Sequence, residues 1–255
     1  MTVFKYWVDE IIYLGNMSKV VINIIKEFEV VFGKNVIIYD LDDTLYNKTE
    51  EFADLLDSTM ATALIEDLGV PMDFEKAKSL VTESFKVYRD GGEIFFRDYG
   101  VNPKDLFIAY HRRKPVEKIV PYENLIDKIK MVPAEQYIFT ASDRYASEKI
   151  LKHLGLWEFF RDRYYSVEDF GVYKKNESAE VYRRYCAKIG VRPEDCVFVD
   201  DSYSNLEFAK EAGMTTVRIY YRNNSAKDKT YIDYAYKGLM SFLDYVLKDA
   251  KKMSA

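Results

Sequence analysis

Residues 35–47 read NVIIYDLDDTLYN, an apolar run that leads directly into a group of three carboxylates. The run is rich in β-branched side chains and does not alternate with polar ones, which is typical of a strand buried on both faces. Asp40 and Asp42 lie two positions apart just past this strand, where alternate side chains point the same way. The stretch therefore predicts a buried strand that presents two acids at its C-terminal end.

Three later runs share this strand-like character, at 136–141 (QYIFTA), 196–201 (CVFVDD) and 215–221 (TTVRIYY). Helical patterns lie between or after them, and each ends in Gly, a common helix stop: 146–155, 179–190 and 205–213. Strands that alternate with helices predict an α/β fold, in which helices cover both faces of a parallel sheet.

The segment between residue 46 and about residue 120 contains no strand-like run. It holds helical stretches at 49–69, 73–90 and 103–113. A structureless connection of this length is improbable in a compact domain. We therefore expect a helical insertion that lies over the C-terminal ends of the strands, where ligands bind in open α/β sheets.

Composition and charge narrow the classes of function. The net charge of -5 gives no electrostatic reason to expect a nucleic-acid polymer as partner. Cys186 and Cys196 have neither CxxC spacing nor a cysteine-rich context, which argues against structural zinc and disulfides and favours the cytoplasm. Because no apolar run is long enough to span a membrane, we expect neither a membrane span nor a signal peptide. The oligomeric state, monomer or homodimer, stays open.

A second acid pair, Asp200 and Asp201, ends the run CVFVDD. If this strand and the first one are central and parallel, both acid pairs meet at the same edge of the sheet. Crowded carboxylates repel one another unless a cation lies among them. All-oxygen ligands suit a hard cation such as Mg²⁺. The two pairs therefore predict a magnesium site.

Two other interpretations of the acidic stretch compete with this one. Most Asp-rich segments are solvated turns. The second interpretation is a calcium-binding loop, since Asp40, Asp42, Thr44 and Glu51 fall at positions 1, 3, 5 and 12 of an EF-hand. However, Leu45 stands where an EF-hand has Gly, and the preceding element is a predicted strand rather than a helix.

Four short motifs, taken together, resemble those of the haloacid dehalogenase (HAD) superfamily. DLDDTL (40–45) resembles its first motif, DxDx(T/V), and Thr140 in YIFTAS (137–142) stands for the second. A Lys in FGVYKK (170–175) stands for the third, and the acid pair in VFVDDSYSN (197–205) for the fourth. The motifs occur in the family's order at strand ends, and the similarity covers about residues 34–250.

The resemblance implies a Rossmannoid core with a helical cap inserted after the first strand. The predicted core is 34–47 and 118–255, the predicted cap domain is 48–117, and residues 1–33 form a predicted helical extension packed on the core. The wider pattern is similar to the pyrimidine 5'-nucleotidase-like branch. Helical caps also occur on phosphoglycolate phosphatases and sugar-phosphate phosphatases.

The resemblance also implies a reaction, namely Mg²⁺-dependent hydrolysis of a small phosphorylated metabolite through an aspartyl-phosphate. Asp40 would be the nucleophile and Asp42 the general acid and base, as in family phosphatases. Mg²⁺ would be held by Asp40, Asp200, Asp201 and the backbone carbonyl of Asp42. Two alternatives stay open: a phosphomutase of the β-phosphoglucomutase type, and a catalytically silent binding module.

The remaining candidates follow from the same motifs. Lys174 is the preferred catalytic lysine, and its neighbour Lys175 is the alternative, because the register of the third motif is ambiguous. The predicted substrate-binding residues are Thr44, Thr140, Ala141, Lys175 and Asn205.

Overall fold

The computed structural model describes residues 32–221 and 229–253. A six-stranded sheet, in which every strand pair is parallel, forms its centre, with the strand order β3-β2-β1-β4-β5-β6. The strands are β1 (Val36–Tyr39), β2 (Glu135–Thr140), β3 (Tyr164–Ser166), β4 (Cys196–Asp200), β5 (Thr215–Tyr220) and β6 (Tyr234–Lys237). The order places β1, which carries the first acid pair, directly beside β4, which carries the second.

The helices before and around the sheet are α1 (Glu50–Thr62), α2 (Phe74–Tyr88), α3 (Glu93–Asp98), α4 (Pro103–Arg113), α5 (Leu125–Met131), α6 (Arg144–His153), α7 (Trp157–Phe160), α8 (Ala179–Ile189), α9 (Tyr203–Ala212) and α10 (Leu239–Met253). A π-helical segment, Ala63–Asp67, extends α1. Short 3₁₀ turns lie at Val116–Lys118, Val167–Phe170, Lys175–Glu177 and Pro193–Asp195.

Strand β1 is buried on both faces, as its continuous apolar sequence predicts. Ile37 and Tyr39 belong to one hydrophobic cluster, which α5, α6 and α10 help to form. Val36 and Ile38 point to the opposite cluster, which includes residues of α8 and α9. Helices therefore cover both faces of a parallel sheet, and the predicted α/β fold is confirmed.

Helices α1 to α4 form the helical insertion between β1 and β2. Side chains from these helices and the connections between them pack into a third hydrophobic cluster, which includes Leu64, Val81, Phe95 and Leu106. The helix starts are fixed locally, since Asp73 accepts from the Lys76 N–H and Asn102 accepts from the Lys104 N–H. The domain boundaries at 47/48 and 117/118 stay a prediction.

The predicted helical extension at 1–33 lies outside the described residues, apart from positions 32 and 33. In the described ranges, no helix combines the length and the apolar character that a membrane crossing requires.

Candidate active site

The acids at the ends of β1 and β4 meet at one edge of the sheet. The two strands pair directly, and the Asp40 N–H donates to the Val199 carbonyl at 2.8 Å. One carboxylate oxygen each of Asp40, Asp200 and Asp201 lies within 4.8 Å of the others. Asp40 therefore converges with the second acid pair, because parallel pairing brings both C-terminal ends to the same place.

Lys175 lies between two of these acids. Its Nζ is 2.5 Å from Asp40 Oδ1 and 2.7 Å from Asp200 Oδ2, and it also donates to the Phe139 carbonyl at 3.2 Å. Its side chain is almost completely buried. A buried ammonium in this position holds the Asp40 carboxylate in place and leaves positive charge beside it.

The structure places Lys174, the catalytic lysine that the sequence analysis preferred, away from Asp40. Lys174 Nζ instead lies 2.6 Å from Asp90 and 3.3 Å from Glu93, both in the helical insertion. The backbone at Lys174 is extended, and neighbouring side chains of an extended segment point in opposite directions. Only one lysine of the pair can therefore reach Asp40, and it is Lys175.

The charges at this edge of the sheet do not balance. Burial raises the pKa of Asp40 above its ordinary value, and repulsion from Asp200 and Asp42 adds to this against the opposing effect of Lys175. Burial and the neighbouring carboxylates likewise raise the pKa of Asp201. Asp40 and Asp200 share the Lys175 ammonium, and Lys48 only partly offsets the repulsion at Asp201. The donor atoms of all three acids are oxygens. This donor set fits a hard divalent cation, which would relieve the repulsion.

Asp200 is held by the start of α9. Asn205 Nδ2 donates to both Asp200 oxygens, at 3.2 and 3.1 Å, and the Ser202 N–H donates to Oδ1 at 2.7 Å. Asn205, which the sequence analysis took for a substrate-binding residue, therefore contacts an acid of the candidate metal site. Since Asp200 is fully buried, these donors satisfy its charge without water.

The other predicted substrate-binding residues occupy three different positions. Thr44 is buried and its hydroxyl donates weakly to Asp40 Oδ2, at 3.4 Å. Thr140 is buried at the end of β2, where its hydroxyl oxygen accepts from the Ser142 N–H at 3.0 Å. Ala141, the next residue, lines the open cleft described below.

Asp42 is fixed by three donors that the sequence analysis did not identify. Lys114 Nζ and the Tyr46 hydroxyl each lie 2.5 Å from Asp42 Oδ1, and the Ser142 hydroxyl lies 2.5 Å from Oδ2. Burial alone raises the pKa of Asp42, but Lys114 and the hydrogen bonds outweigh burial and hold it well below its ordinary value. Asp42 is therefore an oriented carboxylate.

Two of these three donors lie close to motif residues in the sequence. Ser142 and Tyr46 lie within two and four positions of motif residues Thr140 and Asp42, so a search along the motifs could have found them. Lys114 is buried and follows α4, on the connection from the helical insertion back to the sheet. The other connection carries Lys48, which pairs with Asp43.

A cleft of about 640 Å³ lies between the acids and the helical insertion. Its walls include Asp40, Asp42, Lys175 and Asp201 on the sheet side. Residues of α1, α2, α3 and α4 form the opposite side. The acids therefore open into a space that is large enough for a ligand of drug-like size.

Comparison with known proteins assigns the family. The family model of haloacid dehalogenase-like hydrolases matches residues 34–213, which is more than half of the chain. The chain belongs to this family. The match includes β1, β2 and β4, so the acids, Lys175 and the helical insertion of this HAD-like hydrolase all lie within it.

Two relatives agree with this assignment, and a solved structure shares the fold. The HAD-like hydrolase is 29% identical over 233 residues to glyceraldehyde 3-phosphate phosphatase of Methanocaldococcus jannaschii, covering 85% of this chain and 98% of the relative. It is 28% identical over 231 residues to the enzyme of the same name from Pyrococcus furiosus, covering 86% and 90%. A HAD phosphatase structure from Thermococcus onnurineus aligns with a TM-score of 0.57 at 21% identity, covering 83% of this chain and 97% of that one.

Proposed function

We propose that this HAD-like hydrolase is a Mg²⁺-dependent phosphatase that hydrolyses a small phosphomonoester through an aspartyl-phosphate on Asp40. The observation that carries the proposal is the pairing of Asp40 with Lys175, next to a fixed Asp42 and two further acids. The phosphatase names of two relatives support it. These relatives act on a phosphorylated triose, which makes a small phosphorylated metabolite the natural substrate class.

The reaction is proposed to proceed in two displacements on phosphorus. An Asp40 oxygen attacks phosphorus, the bond to the ester oxygen breaks, and Asp42 gives a proton to the departing alcohol. Asp42 must take up this proton before the step, against Lys114 and the hydrogen bonds that favour its carboxylate form. Asp42, now a carboxylate, takes a proton from a water molecule. The oxygen of that water attacks phosphorus, the bond from phosphorus to Asp40 breaks, and phosphate is released. Atoms and protons balance over the two steps, because the proton that Asp42 gives to the alcohol in the first step is replaced by the one it takes from water in the second.

Other residues position and neutralise the reacting groups. Lys175 is the proposed catalytic lysine, because its ammonium lies against Asp40 and would also face the phosphoryl oxygens. Asp40, Asp200, Asp201 and the Asp42 carbonyl are the proposed Mg²⁺ ligands. The bound ion would supply charge neutralisation at phosphorus. Ala141 at the cleft wall and Thr140 are proposed to position the phosphate.

The first test is phosphate release with and without metal. We expect turnover of p-nitrophenyl phosphate and of some members of a panel of sugar, nucleoside and triose phosphates, with Mg²⁺ present and not with EDTA. The Asp201→Asn variant should need about 10- to 100-fold more Mg²⁺ for half-maximal rate. Asp162→Asn, which changes an exposed acid, is the matched control.

Two outcomes would contradict the proposal. Equal turnover in EDTA would show that the reaction does not require a metal ion. No turnover of any monoester by folded protein would overturn the phosphatase itself. Activity that appears only after a sugar bisphosphate is added would then favour the phosphomutase alternative, and binding without turnover would favour a silent module.

A pH profile tests the contact between Lys114 and Asp42. In Lys114→Met, the ammonium that contacts Asp42 is lost and the pKa of Asp42 rises, so its carboxylate form persists only at higher pH. Because the second step needs that carboxylate as base, the acid limb of kcat should move to higher pH by about one unit or more. Lys118→Met, an exposed lysine on the same connection, should leave the profile unchanged. An unmoved acid limb in Lys114→Met would mean that Lys114 does not act through Asp42.

A further inference from the structure

The cleft beyond the acids is lined by an unusual concentration of aromatic side chains. Phe and Tyr residues from α2, α3 and α4, and from the segment just before Lys174, contribute to its wall: Phe85, Tyr88, Phe96, Phe107, Tyr110 and Tyr173. The sheet side and the helical insertion thus both present rings to the same space. Phe107 and Tyr173 also meet edge to face across this boundary, with ring centroids 5.8 Å apart.

Three of these aromatic residues are only partly covered by the protein. Phe85, Tyr88 and Tyr173 are 47%, 41% and 42% exposed. Large aromatic surface is costly to leave in water, and where it gathers in a concave site it marks a binding surface. Lys48 Nζ lies 5.7 Å from the Phe85 ring and the Arg97 guanidinium lies 4.6 Å from the Tyr88 ring, so both rings have a fixed neighbour.

Two of the polar groups on the insertion side of the cleft are engaged already. The Thr82 hydroxyl donates to Asp57 at 2.7 Å, and Asp90 pairs with Lys174 at 2.6 Å. Leu56 and Met60 add apolar surface to the same wall. A sugar or polyol needs unoccupied donors and acceptors around it, whereas this part of the wall offers carbon surface to a flat or apolar group.

We propose that the substrate of this site is a phosphomonoester whose alcohol part carries an aromatic ring, which stacks in the cleft while the phosphate lies at Asp40. The proposal rests on the phosphatase function proposed above and names its substrate class. The size of the cleft supports it, because 640 Å³ falls within the range of drug-sized ligands, and a phosphorylated triose fills only a small part of such a space.

One observation favours a different substrate class, a small phosphomonoester with a second anionic group. Lys86 and Arg89 also line the cleft, and within the described ranges neither is recorded in an ion pair. They could bind a second anionic group on a small substrate. The test below therefore includes such a substrate.

The experiment compares esters of primary alcohols, whose leaving groups are chemically matched. We would measure kcat/KM for 2-phenylethyl phosphate, a 5'-nucleoside monophosphate, glycerol 3-phosphate and phosphoglycolate, with Mg²⁺. The aromatic esters should exceed glycerol 3-phosphate and phosphoglycolate in kcat/KM by about tenfold, which is the upper end of what one aromatic contact contributes.

A variant pair on one helix then locates the binding surface. Phe85→Ala should lower kcat/KM for the aromatic esters by about three- to tenfold. Its effect on glycerol 3-phosphate should be clearly smaller. Phe74→Ala removes a ring of similar exposure from the start of the same helix, outside the cleft, and should change neither.

The outcomes separate the two proposals. Preference for glycerol 3-phosphate or for phosphoglycolate would overturn the aromatic class and leave the phosphatase intact, with the second result favouring a role for Lys86 and Arg89. An equal effect of Phe85→Ala on all esters would also overturn it. Turnover of none of the esters, nor of p-nitrophenyl phosphate, would remove the phosphatase function and the inference with it.

Discussion

Asp40→Asn is expected to reduce phosphatase turnover to background, a loss of about 10⁴-fold or more, because an amide cannot attack phosphorus in place of a carboxylate. Phosphate release from p-nitrophenyl phosphate with saturating Mg²⁺ measures this. The variant should remain folded. A carboxyl whose pKa is raised in the folded state destabilises the fold at higher pH, so the neutral amide should leave Tm at neutral pH unchanged or higher.

Asp42→Asn is the informative comparison, since it keeps the nucleophile and removes the proton transfers. We expect a smaller loss of about 10²- to 10⁴-fold with alkyl esters. The p-nitrophenolate group leaves without help from an acid, so phosphorylated Asp40 should form and then persist, because no base activates water. Intact-protein mass spectrometry would show one added phosphoryl group. Full activity in Asp40→Asn, or an absence of phosphoenzyme in an Asp42→Asn variant that still turns over slowly, would contradict the aspartyl-phosphate route.

Lys175→Met is expected to lower kcat by about 100- to 1,000-fold, whereas Lys174→Met should stay within about fivefold of the parent enzyme. Lys175 is the ammonium that faces Asp40 and Asp200, and losing a fixed charge at a reacting centre typically has this cost. Lys174 only joins the half-exposed pair with Asp90 and Glu93, and such pairs contribute about 1 kcal/mol or less. Steady-state kinetics on both variants measures the contrast.

Stability must be controlled in this pair. Removing Lys175 leaves two buried carboxylates facing each other, and breaking a buried ion pair costs about 3–5 kcal/mol. Thermal unfolding in Mg²⁺ would show whether Lys175→Met is folded. If Lys175→Met is not folded, Lys174→Met still shows which lysine is catalytic. A 100-fold loss of kcat in Lys174→Met, with unchanged Tm, would restore Lys174 as the catalytic lysine.

The sequence patterns predicted the four central strands but not the two edge strands, β3 and β6, and the reason is physical. Strands β1, β2, β4 and β5 are at least half buried, so their sequences are apolar runs that stand out. Strand β3 has three residues, and β6, with the sequence YAYK, is partly exposed at the far edge of the sheet. Short and partly exposed edge strands need no apolar run, and without one they resemble loops.

The candidate site shows the same division between local and distant information. Motif spacing located Asp40, Asp42 and the acid pair on β4, because each motif is a few residues at a strand end. It favoured Lys174 over Lys175, but motif spacing does not show which of two adjacent lysines the extended backbone turns inward. Nor could it find Lys114, which is 72 positions from Asp42 and meets it only after the helical insertion folds back.

The positions of Lys48 and Lys114 on the two connections to the helical insertion tie the charge of the site to the placement of that insertion. A displacement of the insertion that carried both connections with it would withdraw two ammonium groups from Asp42 and Asp43. The exposed strand ends then carry a stronger negative potential, which attracts a divalent cation and repels a phosphate dianion. Binding of metal and substrate would accordingly be ordered, with the cation entering first and the ester accepted only after the site has lost its negative excess.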